Sequence, residues 1–272
     1  MNEVNQKIID LINMLTATDL SMYEQVFFEQ SIQNRIQATN SLSYTGYYEL
    51  LEKNVEERHV FLSSFQINYS EFFRNELSFS VLDKVILPEI ILNFNGNYNN
   101  EIRVWCAACA DGQEAYSIAM LIEEHLKNKP FKYRIFATDQ SETCINTAQK
   151  GIYHTSKMGQ LSLNKMNKWF EKNEEVYVVK KDLKKSIVFS VFDLFNKQYS
   201  SPPESIFGNF DIVICANLLF YYKPEFRYLI LKKTTDTITK NGFFVTSEIE
   251  REMLLAFKYK EVIQKSAIFQ KK

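Results

Sequence analysis

Residues 102–114 read IRVWCAACADGQE, and this stretch decides the fold. Its first part, from Ile102 to Cys106, is a mostly apolar run that predicts a buried strand. Small residues follow and lead into a helix that is expected to begin at Gly112, so the backbone there can approach a ligand closely. Ligands of a doubly wound sheet bind at the carboxyl ends of its strands. The stretch therefore predicts a ligand site directly after this strand.

The alternation of strands and helices continues along the rest of the chain. Further strands are predicted over 133–138, 187–192, 211–215 and 243–246, and helices over 112–127, 141–150 and 224–238. Such alternation implies right-handed βαβ units on a mostly parallel sheet. Residues 176–180 are expected to pair with the strand at 187 as a small antiparallel β insert. The tail, over 262–269, is expected to close the sheet as a hairpin.

The first 95 residues have a helical pattern instead. Apolar residues such as Ile8, Ile9 and Ile12 recur there at helical spacing. The turn-rich sequence NGNYNN at 95–100 marks the end of this region. The predicted fold class is therefore α/β. A small N-terminal all-helical domain spans 1–95, and a doubly wound, mostly parallel sheet spans 96–272 with the β insert near 175–192.

Composition and charge limit the classes of partner. The 272 residues carry a net charge of −1, which argues against a nucleic-acid partner. Residues 1–95 hold 6 basic and 13 acidic side chains, a net charge of −7, and the remainder holds 26 and 20, a net charge of +6. This split indicates two units with different surfaces. No apolar run reaches membrane-spanning length and the start lacks signal-peptide features, so we expect a cytoplasmic protein without membrane insertion.

The cysteines do not form a recognisable metal pattern. Cys106 and Cys109 form one CxxC pair, while Cys144, Cys215 and three histidines are scattered. A closed zinc site needs about four converging ligands, so we expect no metal. A redox dithiol remains an alternative to buried packing of small residues.

The loop after the first strand indicates the kind of cofactor. It contains one glycine, Gly112, rather than the GxGxxG pattern of a dinucleotide site, so NAD is disfavoured. Glu114 is expected in the first turn of the helix, where a carboxylate repels phosphate and attracts an amine. The loop thus favours a cationic or zwitterionic ligand.

Polar or small residues also follow the other predicted strands. Asp139 follows the second strand, and a carboxylate there typically binds two ribose hydroxyls. The alternative is that Asp139 caps the next helix. Asp193 and Leu194 follow the third strand, and Ala216 and Asn217 the fourth. From these residues we infer a nucleoside cofactor that is not a dinucleotide.

Four motifs follow one another in order along the chain. They are NYSEFFRN at 68–75, RVWCAACADGQEAYS at 103–117, ATD at 137–139 with GIY at 151–153, and DIVICANLLFYY at 211–222. Their order and spacing resemble the CheR-type chemotaxis receptor glutamate O-methyltransferases from about residue 20 to residue 250. The resemblance implies that residues 96–272 form an S-adenosylmethionine-binding, Rossmann-like methyltransferase domain.

The resemblance also implies an activity, a partner and a set of site residues. The activity is transfer of a methyl group from S-adenosylmethionine to glutamate carboxylates, which leaves S-adenosylhomocysteine. The partner is the cytoplasmic domain of a methyl-accepting chemoreceptor or a similar signalling protein. The cofactor-binding residues implied are Asn68, Ser70, Arg74, Glu114, Asp139, Asp193, Leu194 and Asn217. Arg74 and Tyr221 would flank the transferred methyl group as the catalytic residues.

Simpler roles are available to the two catalytic candidates. Arg74 could pair with Glu71 or Glu76 on a surface helix, where an ion pair contributes little. Tyr221 could be a core aromatic residue whose hydroxyl is hydrogen-bonded.

The chain departs from the family pattern at several positions. Ala216 stands where the family has arginine, and Gln113 and Ala115 replace the glutamate and proline of its GEEPYS segment. The helical region is acidic, and its helix from Ser21 to Ile36 offers Arg35 as its one basic residue. The segment 169–175 is short and lacks glycine, so we expect no tether to a receptor's C-terminal peptide. Two alternatives remain, a methyltransferase with another acceptor and a degenerate cofactor-binding regulatory module.

Overall fold

The computed structural model describes residues 3–65, 69–93, 101–126, 131–256 and 259–271. The chain forms two compact units. The helical unit comprises Met1–Ile67 with Leu218–Tyr228, and the sheet unit comprises Asn68–Asn217 with Leu229–Lys272. None of the described helices is both long enough and apolar enough to cross a membrane.

The helical unit is built from short helices around an aromatic core. They are α1 (Glu3–Thr16), α2 (Gln25–Ala38), α3 (Tyr44–Lys53) and α4 (Val55–Ser63). The side chains of Ser43 and Asn54 cap α3 and α4 by accepting hydrogen bonds from backbone amides in the first turn. The ring of Phe61 packs edge-on against the rings of Tyr47 and Phe65, and all three are buried. Burial of these rings stabilises helices that would be marginal alone.

An ion pair between the partly exposed Arg35 and the buried Glu57 crosses this unit. The Glu57 carboxylate accepts two hydrogen bonds from the Arg35 guanidinium, at 2.9 and 2.7 Å, and one from the Tyr47 hydroxyl at 2.7 Å. Burial and the Glu57 carboxylate raise the pKa of Tyr47, so its hydroxyl stays a donor. Arg35 is therefore engaged inside the unit, although the sequence suggests it as a surface charge of α2.

The sheet unit contains a six-stranded sheet. Its strands are β1 (Glu101–Ala107), β2 (Lys132–Asp139), β6 (Ile187–Val191), β7 (Phe210–Ile214), β8 (Ile238–Val245) and β9 (Ile268–Gln270). Their spatial order is β6-β2-β1-β7-β8-β9, and all pairs are parallel except β8 with β9. The predicted fold class is confirmed. Strand β9 forms the last strand of the sheet by antiparallel pairing with β8, and an antiparallel bridge joins Glu261 to Phe269 within the tail.

Helices flank the sheet along the chain. They are α5 (Glu76–Val81), α6 (Leu87–Asn93), α7 (Gln113–Leu126), α8 (Glu142–Lys150), α9 (Leu163–Trp169), α10 (Lys181–Lys184), α11 (Pro224–Asp236) and α12 (Arg251–Ala256). A π-helical turn over Leu82–Ile86 joins α5 to α6. Helix α7 buries almost all of its side chains because it lies between the sheet and its neighbours.

The small antiparallel sheet has partners other than those expected. Its strands are β3 (Ile152–His154), β4 (Phe170–Asn173) and β5 (Val176–Val179), in the order β3-β5-β4. The expected pairing of 176–180 with the strand at 187 is wrong, because β6 pairs in parallel with β2. Helix α10 lies between β5 and β6 in the chain, and its Leu183 side chain is buried.

The two units divide near residue 67, whereas the sequence predicts a boundary at 95. Helices α5 and α6 precede residue 95, yet their apolar residues belong to the core of the sheet unit. Phe79, Leu82 and Leu87 are buried in the same cluster as Ile102 of β1. The break predicted at 95–100 lies outside the described residues. Packing against the sheet therefore assigns α5 and α6 to the second unit.

Candidate functional site

The loop between β1 and α7 is tightly turned. Ala108, Ala110 and Gly112 all have left-handed backbone conformations, with φ of 62°, 46° and 88°. A Cβ atom on Gly112 would lie 2.7 Å from the Cβ of Ala148, so the position requires glycine. The loop is held against β2 by a 2.8 Å hydrogen bond from the Cys109 amide to the Thr138 carbonyl oxygen. These turns create a cradle of small residues at the carboxyl end of β1.

Asp139 joins this loop to the end of β2. Its Oδ2 accepts a hydrogen bond from the Ala110 amide at 2.9 Å, and its Oδ1 accepts one from the Ser141 amide at 2.9 Å. Burial raises the pKa of Asp139, while these hydrogen bonds act in the opposite direction. The capping alternative is wrong, because Ser141 rather than Asp139 is the N-cap of α8. Asp139 thus joins the loop after β1 to the segment after β2.

Glu114 stands in the first turn of α7 and is only partly exposed. Within the described residues, no cationic side chain forms an ion pair with it. Burial and the charge of Glu250 raise the pKa of Glu114 to about 8, and the positive charge of Arg74 opposes them. A cationic ligand beside Glu114 would favour the ionised form of this carboxylate.

The segment containing Arg74 is anchored to the sheet unit. The ring of Phe72 packs edge-on against Tyr153 and Phe170, with ring centroids 5.0 and 5.5 Å away. Phe73 has a left-handed φ of 54°, and its amide donates a 3.0 Å hydrogen bond to the Ser117 hydroxyl of α7. This sharp turn is strained for an aromatic residue, so the contacts on both sides must hold it.

The turn sets the surroundings of Arg74. Its guanidinium carbon lies 4.9 Å from the centroid of the Tyr69 ring, and it donates a 3.3 Å hydrogen bond to the Tyr69 carbonyl oxygen. Among the described residues, no carboxylate lies within 4.0 Å of the guanidinium, so the alternative pairing with Glu71 or Glu76 is not formed. Arg74 is therefore available to a carboxylate ligand or substrate.

Asn217 follows β7 in a left-handed conformation, with φ of 60°. Its amide donates a 2.8 Å hydrogen bond to Oε2 of Glu250, a fully buried residue that the sequence analysis missed. The nearby Glu248, by contrast, is exposed. Only the position of Glu250 after the last parallel strand could have indicated it.

Four further residues are predicted to bind the cofactor, two after β6 and two before α5. Asp193 and Leu194 follow β6 at the same edge of the sheet, where the Phe192 amide donates a 2.9 Å hydrogen bond to the Asp139 carbonyl oxygen. Leu194 is buried and Asp193 is exposed. Ser70 is buried, and Asn68 lies outside the described residues.

Tyr221 belongs to the helical unit. It ends a 3₁₀ turn over Leu219–Tyr221, and its ring centroid lies 4.7 Å from that of Phe27. Its carbonyl oxygen accepts a 2.8 Å hydrogen bond from the Glu24 amide. The sheet unit thus gathers Arg74, Glu114, Asp139 and Asn217, whereas Tyr221 is placed by its contacts with α2.

The residues present fit an organic cation better than a metal ion. Within the described part of the chain, no three His, Cys, Asp or Glu side chains come together to hold a metal. The four cysteines are buried thiols. The side-chain amide of Gln113 is buried at the start of α7, and neither of its polar atoms has a partner in the described chain. Two carboxylates, this amide and a cradle of small residues suit a nucleoside that carries a charged group.

Comparisons with known proteins identify relatives. The family described as "CheR methyltransferase, SAM binding domain" matches residues 68–264, and "CheR methyltransferase, all-alpha domain" matches residues 5–65. The chain is 28% identical over 224 residues to a chemotaxis protein methyltransferase of Listeria monocytogenes, covering 82% of this chain and 80% of that one. It is 26% identical over 251 residues to a chemotaxis protein methyltransferase of Salmonella typhimurium, covering 90% and 82%. A solved structure described as DszA carbon methyltransferase has 14% sequence identity and a TM-score of 0.40, covering 80% of this chain and 50% of that chain.

Proposed function

Since this chain belongs to the CheR methyltransferase family and its cofactor is S-adenosylmethionine, we propose that it methylates glutamate side chains of a methyl-accepting chemoreceptor. The products are glutamyl methyl esters and S-adenosylhomocysteine. The observation that carries the proposal is a pair of carboxylates, Glu114 in the first turn of α7 and Asp139 at the end of β2, beside a cradle of small residues. Neither alternative function has an observation that favours it over this one.

Each site residue has a proposed role in holding the cofactor. Asp139 accepts hydrogen bonds from the ribose hydroxyls, because a carboxylate can accept additional hydrogen bonds beside those from backbone amides. Glu114 receives the amino group of the methionine moiety. Asp193, Leu194 and Asn217 are proposed to contact the rest of the nucleoside, and Asn68, Ser70 and Arg74 of the NYSEFFRN motif complete the proposed set of cofactor-binding residues.

The chemistry requires little from the protein. When bound, the cofactor supplies a methyl group on a positively charged sulfur. The acceptor glutamate is already ionised near pH 7, so no side chain has to remove a proton from it. Arg74 is proposed to bind the incoming carboxylate, and the family resemblance alone assigns Tyr221 as the second catalytic residue. Alignment of the two reactants then provides most of the acceleration.

The acceptor is proposed to be the cytoplasmic domain of the receptor, bound without a C-terminal peptide tether. The short connection between β4 and β5 supports binding without a tether. It consists of Glu174 and Glu175 alone, with Glu174 at a left-handed φ of 52°. A two-residue hairpin turn offers no long loop that could close over a peptide.

The experiment is a methyl-transfer assay on a purified receptor cytoplasmic fragment with labelled S-adenosylmethionine. We expect base-labile label on the fragment, and none on a fragment whose methylatable glutamates are changed to alanine. Calorimetric titration with S-adenosylhomocysteine tests the cofactor site separately, with NAD as the comparison ligand. Cofactor binding without receptor labelling would contradict the proposed acceptor. Absence of cofactor binding by the folded protein would contradict the proposed site.

A further inference from the structure

Glu250 is a completely buried acidic residue at the carboxyl end of the sheet. Its Oε2 atom accepts hydrogen bonds from the Thr246 hydroxyl at 2.7 Å, the Ser247 hydroxyl at 2.7 Å and the Ser247 amide at 3.2 Å. The Asn217 amide donates a fourth, at 2.8 Å. Charge-assisted hydrogen bonds of this kind are stronger than those between neutral groups. Such a cluster keeps a buried carboxylate in one position.

These hydrogen bonds connect two loops of the proposed cofactor site. Thr246 and Ser247 follow β8, and Asn217 follows β7, so Glu250 ties adjacent strand ends together across 33 residues of chain. Asn217 has a left-handed φ of 60°, a conformation that asparagine adopts more readily than most residues, and its amide is fixed by the hydrogen bond to Glu250. The position of the Asn217 backbone therefore depends on Glu250.

Glu250 also acts on Glu114 through its charge. The charged groups that influence Glu114 are Glu250, after β8, and Arg74, before α5. Three thiols face Glu114 as well, from β1, from the following loop and from the end of β7, and they are Cys106, Cys109 and Cys215. Burial raises the pKa of each thiol well above its ordinary value, so they remain neutral. Glu250 is thus the carboxylate neighbour that, together with burial, raises the pKa of Glu114.

We propose that Glu250 is a positioning residue of the methyl-transfer reaction, which fixes the Asn217 backbone and sets the charge environment in which Glu114 receives the cationic end of the cofactor. This inference rests on the proposed function. It assigns Glu250 no direct contact with the cofactor. It acts on Asn217 through a hydrogen bond and on Glu114 through its charge.

The proposal predicts a particular pH dependence of ligand binding. Burial raises the pKa of Glu114 to about 8 in the ligand-free protein, whereas the positively charged amino group of the ligand favours the ionised carboxylate. Binding therefore releases a proton from Glu114 to the solvent, and affinity rises with pH by up to roughly tenfold per pH unit until Glu114 ionises by itself. Removing the negative charge of Glu250 lowers the pKa of Glu114 and moves this rise to lower pH.

Calorimetric titration with S-adenosylhomocysteine between pH 6 and pH 9 tests this inference. The variants are Glu250→Gln, which removes the charge, and Glu250→Asp, which keeps the charge on a shorter side chain. The control is Asp211→Asn, because Asp211 is a carboxylate at the opposite end of β7 whose Oδ2 accepts a 2.8 Å hydrogen bond from the Arg103 amide. A purely structural role for Glu250 would make its variants behave like this control.

We expect the inflection of affinity against pH to move down in Glu250→Gln and to stay in place in the control. In Glu250→Asp we expect an unchanged inflection with at least tenfold weaker binding, because the Asn217 backbone loses its support. An unchanged inflection in Glu250→Gln would overturn the charge effect. Should that variant not fold, wild-type affinity in Glu250→Asp would overturn the positioning role. Absence of binding by the wild type at every pH would instead contradict the proposed function.

Discussion

The Ala110 amide donates a 2.9 Å hydrogen bond to Oδ2 of Asp139, which joins the loop after β1 to the end of β2. Ala110 has a φ of 46°, so this bond supports a residue in an unfavourable conformation. The loop owes its shape to contacts at neighbouring strand ends as much as to its own sequence. This dependence leads to the first two predictions.

Glycine should stabilise the loop at Ala108. An alanine at a φ of 62° carries a steric cost that glycine avoids, so Ala108→Gly should raise the free energy of unfolding by about 1 kcal/mol. The matched control is Ala115→Gly, in the regular helix α7, which should lower it by about 1 kcal/mol. Urea denaturation of both variants measures the difference. Equal destabilisation by the two substitutions would mean that Ala108 bears no strain.

Removal of the Asp139 carboxylate should weaken both the fold and ligand binding. Asp139→Ala leaves the buried Ala110 and Ser141 amides without their acceptor, at a cost of about 1–3 kcal/mol. We expect a loss of S-adenosylhomocysteine affinity of about 100-fold or more, since the ribose hydroxyls lose a charged acceptor. Asp182→Ala, at an exposed position in α10, is the control and should change neither quantity. Retained affinity in a destabilised Asp139→Ala would confine the residue to a structural role.

Glu114 should make stability dependent on pH. Its pKa rises from 4.5 to about 8 on folding, so the folded state binds the proton more tightly than the unfolded state. The free energy of unfolding should therefore fall as pH rises from 4.5 towards 8, and Glu114→Gln should reduce this fall. Urea denaturation at pH 5, 7 and 8.5 measures the effect. The exposed Glu248→Gln should leave the wild-type dependence intact, and the same curve in both variants would contradict the prediction.

The ion pair between Arg35 and Glu57 should matter for stability rather than for docking. Arg35→Ala leaves the Glu57 carboxylate with the Tyr47 hydroxyl but without its cationic partner, which should cost about 1–3 kcal/mol because the pair is only partly buried. The double variant Arg35→Met with Glu57→Leu should recover most of that loss. Thermal denaturation of the single and double variants checks this. If Arg35→Ala kept full stability and lost receptor binding, the residue would be a docking residue after all.

Receptor methylation should not require a C-terminal peptide. A receptor fragment that ends at its last structured helix should be methylated at the same rate as the full-length cytoplasmic domain, because the two-residue turn between β4 and β5 offers no peptide-binding loop. Initial rates at substrate concentrations below KM measure this most sensitively. A decrease of tenfold or more on truncation would show that a tether contributes.

Short sequence patterns predicted most strands of the sheet and two residues of the candidate site. The apolar strands, the small residues of 107–112 and the polar residues after each strand are encoded within short windows of sequence. They predicted the parallel sheet, the ligand edge and the residues Glu114 and Asp139. The family resemblance added Arg74, and the structure leaves its guanidinium without a carboxylate partner among the described residues.

Sequence separation explains what local patterns did not predict. Helices α5 and α6 read as a continuation of the helical region, but their apolar faces complete the core of the sheet unit. Strand β5 pairs with β3 and β4 rather than with the strand that follows it, because β6 is already paired with β2.

The sequence by itself determined the order of the main strands and helices and the class of cofactor, and it predicted the edge of the sheet at which that cofactor would bind. The tertiary structure alone decided that Glu250 lies beside Asn217, that Arg35 is engaged by Glu57 and that Tyr221 packs on α2. Each of these contacts joins residues more than 20 positions apart. Helical and strand periodicities specify the face on which a side chain lies, whereas packing of the whole chain selects its partner.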